Sequence, residues 1–170
     1  MGSPTLLDNF NMNPKIKITI QFIFSHLSAY LLVSIPYFQL VMKEYYEGEA
    51  AVFPLFLVTA NDGAVWSRAM FWLFPSLIFQ AFLIVSFLIL IWDWFRLQTF
   101  SKQMFVLVWM RTILGGLAAI SPAVGSLEGM VFLIPEVSLS IHIYVVFEIF
   151  LQSLVQAGIF LTLVNRGKKS

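Results

Sequence analysis

The chain contains no cysteine. Disulfides, thiolate metal sites and cysteine nucleophiles are therefore excluded, and nothing about redox compartment follows. Charge is nearly as scarce: 11% of the residues are Asp, Glu, Lys or Arg, against about 25% in a soluble domain. With a net charge of +1 and its basic residues dispersed, the chain has no basic stripe for nucleic acid. Also missing are H-E-x-x-H, a Walker loop, G-x-G-x-x-G and G-x-S-x-G, so no motif names a reaction or a cofactor. Asp8, Asp62 and Asp93 are the only aspartates; all lie outside the apolar runs and away from His26, which leaves no Ser-His-Asp arrangement.

What fills the sequence instead is apolar: 59% of the 170 residues are hydrophobic and the mean hydropathy is +0.87. A soluble domain of that size could not hide so much apolar surface. Runs longer than the ~18 residues of a membrane-span candidate alternate with short charged stretches. These runs lie between Lys17 and Lys43, Arg68 and Asp93, Lys102 and Glu128, and Glu136 and Arg166. In lipid every peptide group must find an internal partner, and the runs lack the alternation of a barrel strand. The expected fold is therefore an all-α integral membrane protein. It is a single four-transmembrane-helix bundle over 18–42, 69–92, 103–125 and 138–164, with short loops and one longer outer loop over 43–68.

The first run follows Lys15 and Lys17 as a signal-peptide core would. It continues to Met42, beyond the roughly 7–15 residues of such a core, and no A-x-A site follows, so it reads as a retained span. Lys15, Lys17, Arg96, Lys102, Arg166, Lys168 and Lys169 share one side, whereas only Lys43 and Arg68 fall on the other. Segment 1–17 and the C-terminus should accordingly be cytoplasmic, in a cytoplasmic membrane. Pro36, Pro75 and Pro122 sit toward the outer ends of their spans, where a bend costs less than at mid-helix. The short inner connection from Asp93 to Lys102 should make the second and third spans antiparallel neighbours.

The outer loop carries Glu44, Glu47 and Glu49, an apolar stretch from Ala50 to Ala60, and an Asn61-Asp62-Gly63 turn signal. The apolar stretch is too short to span; a cover over the bundle is favoured over an interfacial helix or a re-entrant segment. The acidic residues read as a solvated loop rather than a cation site, since no ligand spacing with a fixing Gly is present.

Within the runs only Arg111 and Glu148 are charged. Such residues face a bundle interior, an aqueous cavity or a partner. At 1.5 Å per residue Arg111 lies roughly 13 Å, and Glu148 roughly 22 Å, from the cytoplasmic ends of their spans. His26, Gln80 and Gln152 lie at roughly 12, 18 and 16 Å by the same rise. All four helices should thus contribute to one polar layer. Glu148, Gln152 and Gln156 follow i, i+4, i+8 spacing, as do Arg111, Gly115 and Ala119.

Three readings of this layer stand side by side. In the first, Arg111 and Glu148 form an internal pair that orders the bundle, with His26 and the Gln side chains filling hydrogen-bond positions. In the second, these residues face a partner subunit. In the third, Arg111, Glu148, His26, Gln80, Gln152 and Gln156 line a binding site or an ion path. His26 and His142 sit at different depths, against a haem shared between them. No catalytic residue and no metal ligand is assigned, and the cofactor is unknown. The expected partners are the lipid bilayer and either further copies of the chain or other membrane subunits, with any solute path between subunits. The expected role is a subunit that binds or moves a small solute or ion; the alternatives are an assembly subunit of a larger complex and, third, an embedded enzyme.

Overall fold

The computed structural model describes residues 13–49, 51–118 and 123–166. Residues 1–12, Ala50, Ala119, Pro122, Lys168 and Lys169, on which some of the expectations above rest, lie outside the described residues.

Among the described residues all regular structure is helical. Helix α1 (Pro14–Tyr37) starts where Asn13 accepts a hydrogen bond from the Lys15 amide at 2.9 Å, with Pro14 in the first turn. It runs through a π-helical turn (Phe38–Met42) into α2 (Lys43–Glu47). After the outer loop come α3 (Ala64–Leu90), a short α4 (Trp92–Phe95), and α5 (Phe100–Trp109) continuing as a π-helix (Met110–Leu117). A short α6 (Gly129–Phe132) and the long α7 (Leu139–Arg166) complete the chain.

Three helices, Pro14–Glu47, Ala64–Leu90 and Leu139–Asn165, are long and apolar enough to cross a membrane. The segment expected to cross over 103–125 is shorter: its helix ends at Leu117, and Ala118 leaves helical geometry at φ −96°, ψ 25°. The adjacent Gly115-Gly116 pair weakens the helix there. At the other outer end the first helix continues to Glu47, so the loop expected over 43–68 narrows to the stretch between Glu47 and Ala64. Pro36 and Pro75 sit inside continuous helices. Pro36 lacks an amide hydrogen and crowds the preceding turn, and the backbone widens into the π-turn just beyond it.

Helices α1 and α7 pack on each other along most of their length, α3 lies against α1, and α5 with its π-helix lies against α7. The expected neighbours α3 and α5 hardly touch through their backbones. The turn joining them carries Phe95, fully buried, and its carbonyl accepts from Gln103 Nε2 at 3.0 Å. Filling that corner keeps the two helices apart while each leans on the central pair.

Two apolar clusters result. The inner one gathers Phe22, Val85, Leu88, Phe95, Leu107 and Phe160; Phe22 and Phe160 meet edge to face at 5.1 Å. The outer one gathers Tyr37, Met42, Phe53, Val137 and Ile141. The outer loop contributes Phe53, in a 3₁₀ turn (Phe53–Leu55), stacked on Tyr46 at 4.3 Å, whereas Leu55 remains 64% exposed. The Asn61-Asp62-Gly63 turn is closed by Asp62, which accepts from the Thr59 amide, and Gly63 takes φ 54°. Gly125, at φ 88°, donates its amide to Nδ1 of the buried His142 at 3.0 Å, tying the α6 loop to the start of α7. Helix α3 buries only Leu77, Ala81, Val85 and Leu88, and Phe71, Phe79, Leu83 and Phe87 are exposed. So large an apolar outer surface suits lipid rather than water.

Candidate functional site: a polar layer between two apolar clusters

Between the inner and outer clusters the helices meet through polar side chains. Arg111 lies in the first turn of the π-helix, whose i→i−5 geometry shows in the Ala118 amide bonding to the Ile113 carbonyl at 2.8 Å. Such widened turns are rare and occur frequently at functional sites. The guanidinium is buried and forks onto α7: Nη2 donates to Gln152 Oε1 at 2.6 Å, and Nη1 donates to Gln156 Oε1. Beside it Thr112 Oγ1 donates to Ser153 Oγ at 3.2 Å. The close approach is permitted by Gly116, where a Cβ would meet Ile149 Cδ1 at 3.1 Å.

The internal Arg111–Glu148 pair expected from the sequence is replaced by a bridge. Among the described residues no ion pair joins the two side chains; the Gln152 amide stands between them. Its Oε1 faces Arg111 while its Nε2 donates to Glu148 Oε1 at 3.0 Å and to Ser34 Oγ at 2.7 Å. Ser34 in turn donates to Glu148 Oε1 at 2.7 Å. Only this amide orientation gives the guanidinium an acceptor and the carboxylate a donor. The reason for the bridge is depth: Glu148 and Gln152 are one turn apart on α7, and the turn nearer Arg111 carries the amides.

At the inner end, Gln156 Oε1 already accepts from Arg111, so His26 Nδ1, at 3.2 Å, must be the donor to it. The proton of a neutral ring then sits on Nδ1, and His26 Nε2 is buried with no hydrogen-bond partner. Gln80 comes near the ring but does not bond Nε2 and is itself exposed on α3. The hydrogen bonds of the layer are therefore supplied by three helical segments, with Gln80 of α3 beside the His26 ring at its edge. His142 lies apart, in the outer region with Gly125.

Ser34, Thr112 and Ser153 were not among the residues singled out from the sequence, yet all three join the layer. A signal for Ser34 exists: His26, Tyr30 and Ser34 repeat on α1 the i, i+4, i+8 spacing of Glu148, Gln152 and Gln156 on α7. The two series run antiparallel, with His26 against Gln156, Ser34 against Glu148, and Phe22 against Phe160 one turn further in.

The two ends of the layer differ. A void of ≈ 10 Å³ lies beside Arg111, Ser153 and Gln156, about the space of a single water. Glu148, in contrast, is only half-buried, and its neighbours Tyr144 and Phe147 are exposed. Amides and a guanidinium do not pass protons on readily. Among the described residues no three His, Asp or Glu side chains gather to hold a metal. Comparison with protein-family models, with curated proteins and with solved structures finds no match.

Proposed function

We propose that the chain is a four-span membrane protein with both termini in the cytoplasm, and that it binds or moves a small solute or ion at the Glu148 end of the polar layer. The observation that carries this reading is a charged, hydrogen-bonded network between the Arg111 helix and two helices able to cross a membrane, with Arg111 buried at one end and Glu148 half-buried at the other. A purely packing contact needs no ionised groups; Ser, Thr and small residues would suffice. The void beside Arg111 is too small for a solute, which favours a path between subunits, whether further copies of this chain or other membrane proteins, over one through the chain itself. Flux into liposomes should be present for wild type and lost in Glu148→Gln, with Arg111→Gln reduced. Normal assembly of all three with no flux in any would defeat the transport reading.

The second reading, an assembly subunit, draws on the same bridge: every charged group in it has internal hydrogen-bond partners without a ligand. Loss of a co-purifying membrane chain in Glu148→Gln, without any flux in wild type, would favour it. An embedded enzyme ranks third. The topology is tested by single cysteines in this Cys-free chain: a cysteine at Glu49 should label from outside intact cells and one at Leu97 only after permeabilisation.

A further inference from the structure

The end of the bundle opposite Pro14 and Arg166 is finished by two turns that share one apolar cluster. Phe53 from the loop after α2, and Val124, Leu133 and Val137 from the chain around α6, pack there with Tyr37 and Ile141. Neither turn hides its remaining apolar side chains. Leu55, Phe56 and Leu57 stand exposed, and so do Leu127, Val131 and Phe132, the last two at 73 and 72%. Their backbone, by contrast, is already satisfied. The Leu55 amide donates to the Val52 carbonyl, those of Phe56 and Leu57 to the Phe53 carbonyl, and those of Val131 and Phe132 to the Glu128 carbonyl. The Gly129 amide donates to Ser126 Oγ at 2.9 Å. A turn that has paired its amides internally leaves water at little cost. No Lys, Arg, Asp or Glu interrupts 51–60 or 129–135.

Depth puts these turns at the edge of the hydrocarbon. The Leu127 amide donates to the Leu117 carbonyl and the Gly125 amide to His142 Nδ1, both at 3.0 Å, so the α6 turn is level with the end of the π-helix and with the first turn of α7. Those levels lie at most ~27 Å from Phe100 and roughly 36 Å from Arg166 along the two helices, on either side of the roughly 30 Å of a hydrocarbon core. We propose that the two turns dock on the bilayer itself, with Leu55, Phe56, Leu57, Leu127, Val131 and Phe132 inserted in the headgroup–acyl boundary of the leaflet opposite Pro14 and Arg166. The occupant is lipid because the helices beneath the turns already face it, α3 with Phe71 and Trp72 exposed near the same end. Insertion stops at the boundary: the exposed Glu128 and Glu136 bracket the α6 turn, and a charge or an irregular backbone facing lipid is excluded from the core. Phe53 covers the bundle end while its neighbours turn to the membrane. This surface is independent of the solute site at Glu148.

The test places single cysteines at Leu55 and Val131 of the full chain, which has none of its own, and labels each with the environment-sensitive fluorophore NBD in phosphatidylcholine vesicles. Emission should be blue-shifted at both sites relative to a label at Glu49. A nitroxide near the lipid headgroup should quench it several-fold more strongly than one near the end of the acyl chain, or than aqueous iodide. Phe56 and Phe132 supply second sites on the same turns should a labelled variant fail to fold. Water-like emission with strong iodide quenching at either turn overturns the proposal. So does blue-shifted emission that no lipid nitroxide quenches, because a second copy or another protein would then cover the turns. Stronger quenching from the acyl-chain end overturns it too, since the turns would then be re-entrant rather than interfacial.

Discussion

A guanidinium inside a helix bundle is stable only while its donors are met, and Arg111 meets them with the side-chain carbonyls of Gln152 and Gln156. Lysine carries its donors on one compact nitrogen and lacks the planar two-nitrogen fork that reaches both amides at once. Arg111→Lys should therefore lose about 1–2 kcal/mol, an interhelical hydrogen bond in a membrane contributing roughly 0.6–2 kcal/mol, and a thermal melt in detergent with wild-type stability would contradict the fork. Gln152 carries more: it donates twice and accepts once. Gln152→Leu should be the most damaging of the Gln substitutions, whereas Gln80→Leu, on the exposed face of α3, should change stability by less than about 0.5 kcal/mol. Equal losses at both positions would mean that α3 joins the layer after all. The identity of the layer was legible, because Arg111 and Glu148 are the only charges in four apolar runs. The bridge was not, since a depth estimate along each helix axis says nothing of the direction in which a side chain leaves it.

For the helices themselves, the matching i, i+4, i+8 series on α1 and α7 set an antiparallel register that places each polar group opposite a partner. That pairing was available in the spacing of His26, Tyr30 and Ser34 but becomes visible only once α1 and α7 are known to be neighbours. Chain order suggested a different neighbourhood, α3 beside α5, because a short connection joins them. The buried Phe95 in that connection shows why nearness in sequence misled. The π-helix was likewise hidden: nothing in Met110–Leu117 distinguishes a widened turn from an ordinary one except the helix-weakening Gly pair. The close passage at Gly116 gives a direct test. Its added Cβ would press on Ile149 Cδ1 at 3.1 Å, so Gly116→Val should destabilise by about 1–3 kcal/mol through overpacking. Gly115, with only the Arg111 side chain 3.9 Å from its Cβ position, should tolerate Ala with little change in the same melting assay.

Seen as one body, the molecule presents apolar helices of unequal length. Ala64–Leu90 and Leu139–Asn165 have 27 residues each, whereas α5 and its π-helix together end after Leu117, where the Leu127 amide returns to bond the Leu117 carbonyl at 3.0 Å. The membrane class was readable from composition alone, and three of the expected crossings are helices of sufficient length. At 1.5 Å per residue the Phe100–Leu117 segment reaches at most ~27 Å, less than the roughly 30 Å of a typical hydrocarbon core. If that segment crosses, lipid on its flank must thin while lipid beside α3 does not, so the protein acts as a wedge in the bilayer. Its preferred host is then a thin membrane. The melting temperature in vesicles should rise as the hydrocarbon thickness falls from about 33 toward about 27 Å, and a flat response would show that the short helix is shielded from lipid. The brevity of one helix would thus become an address, drawing the chain toward thin membranes and toward neighbours that share its short side.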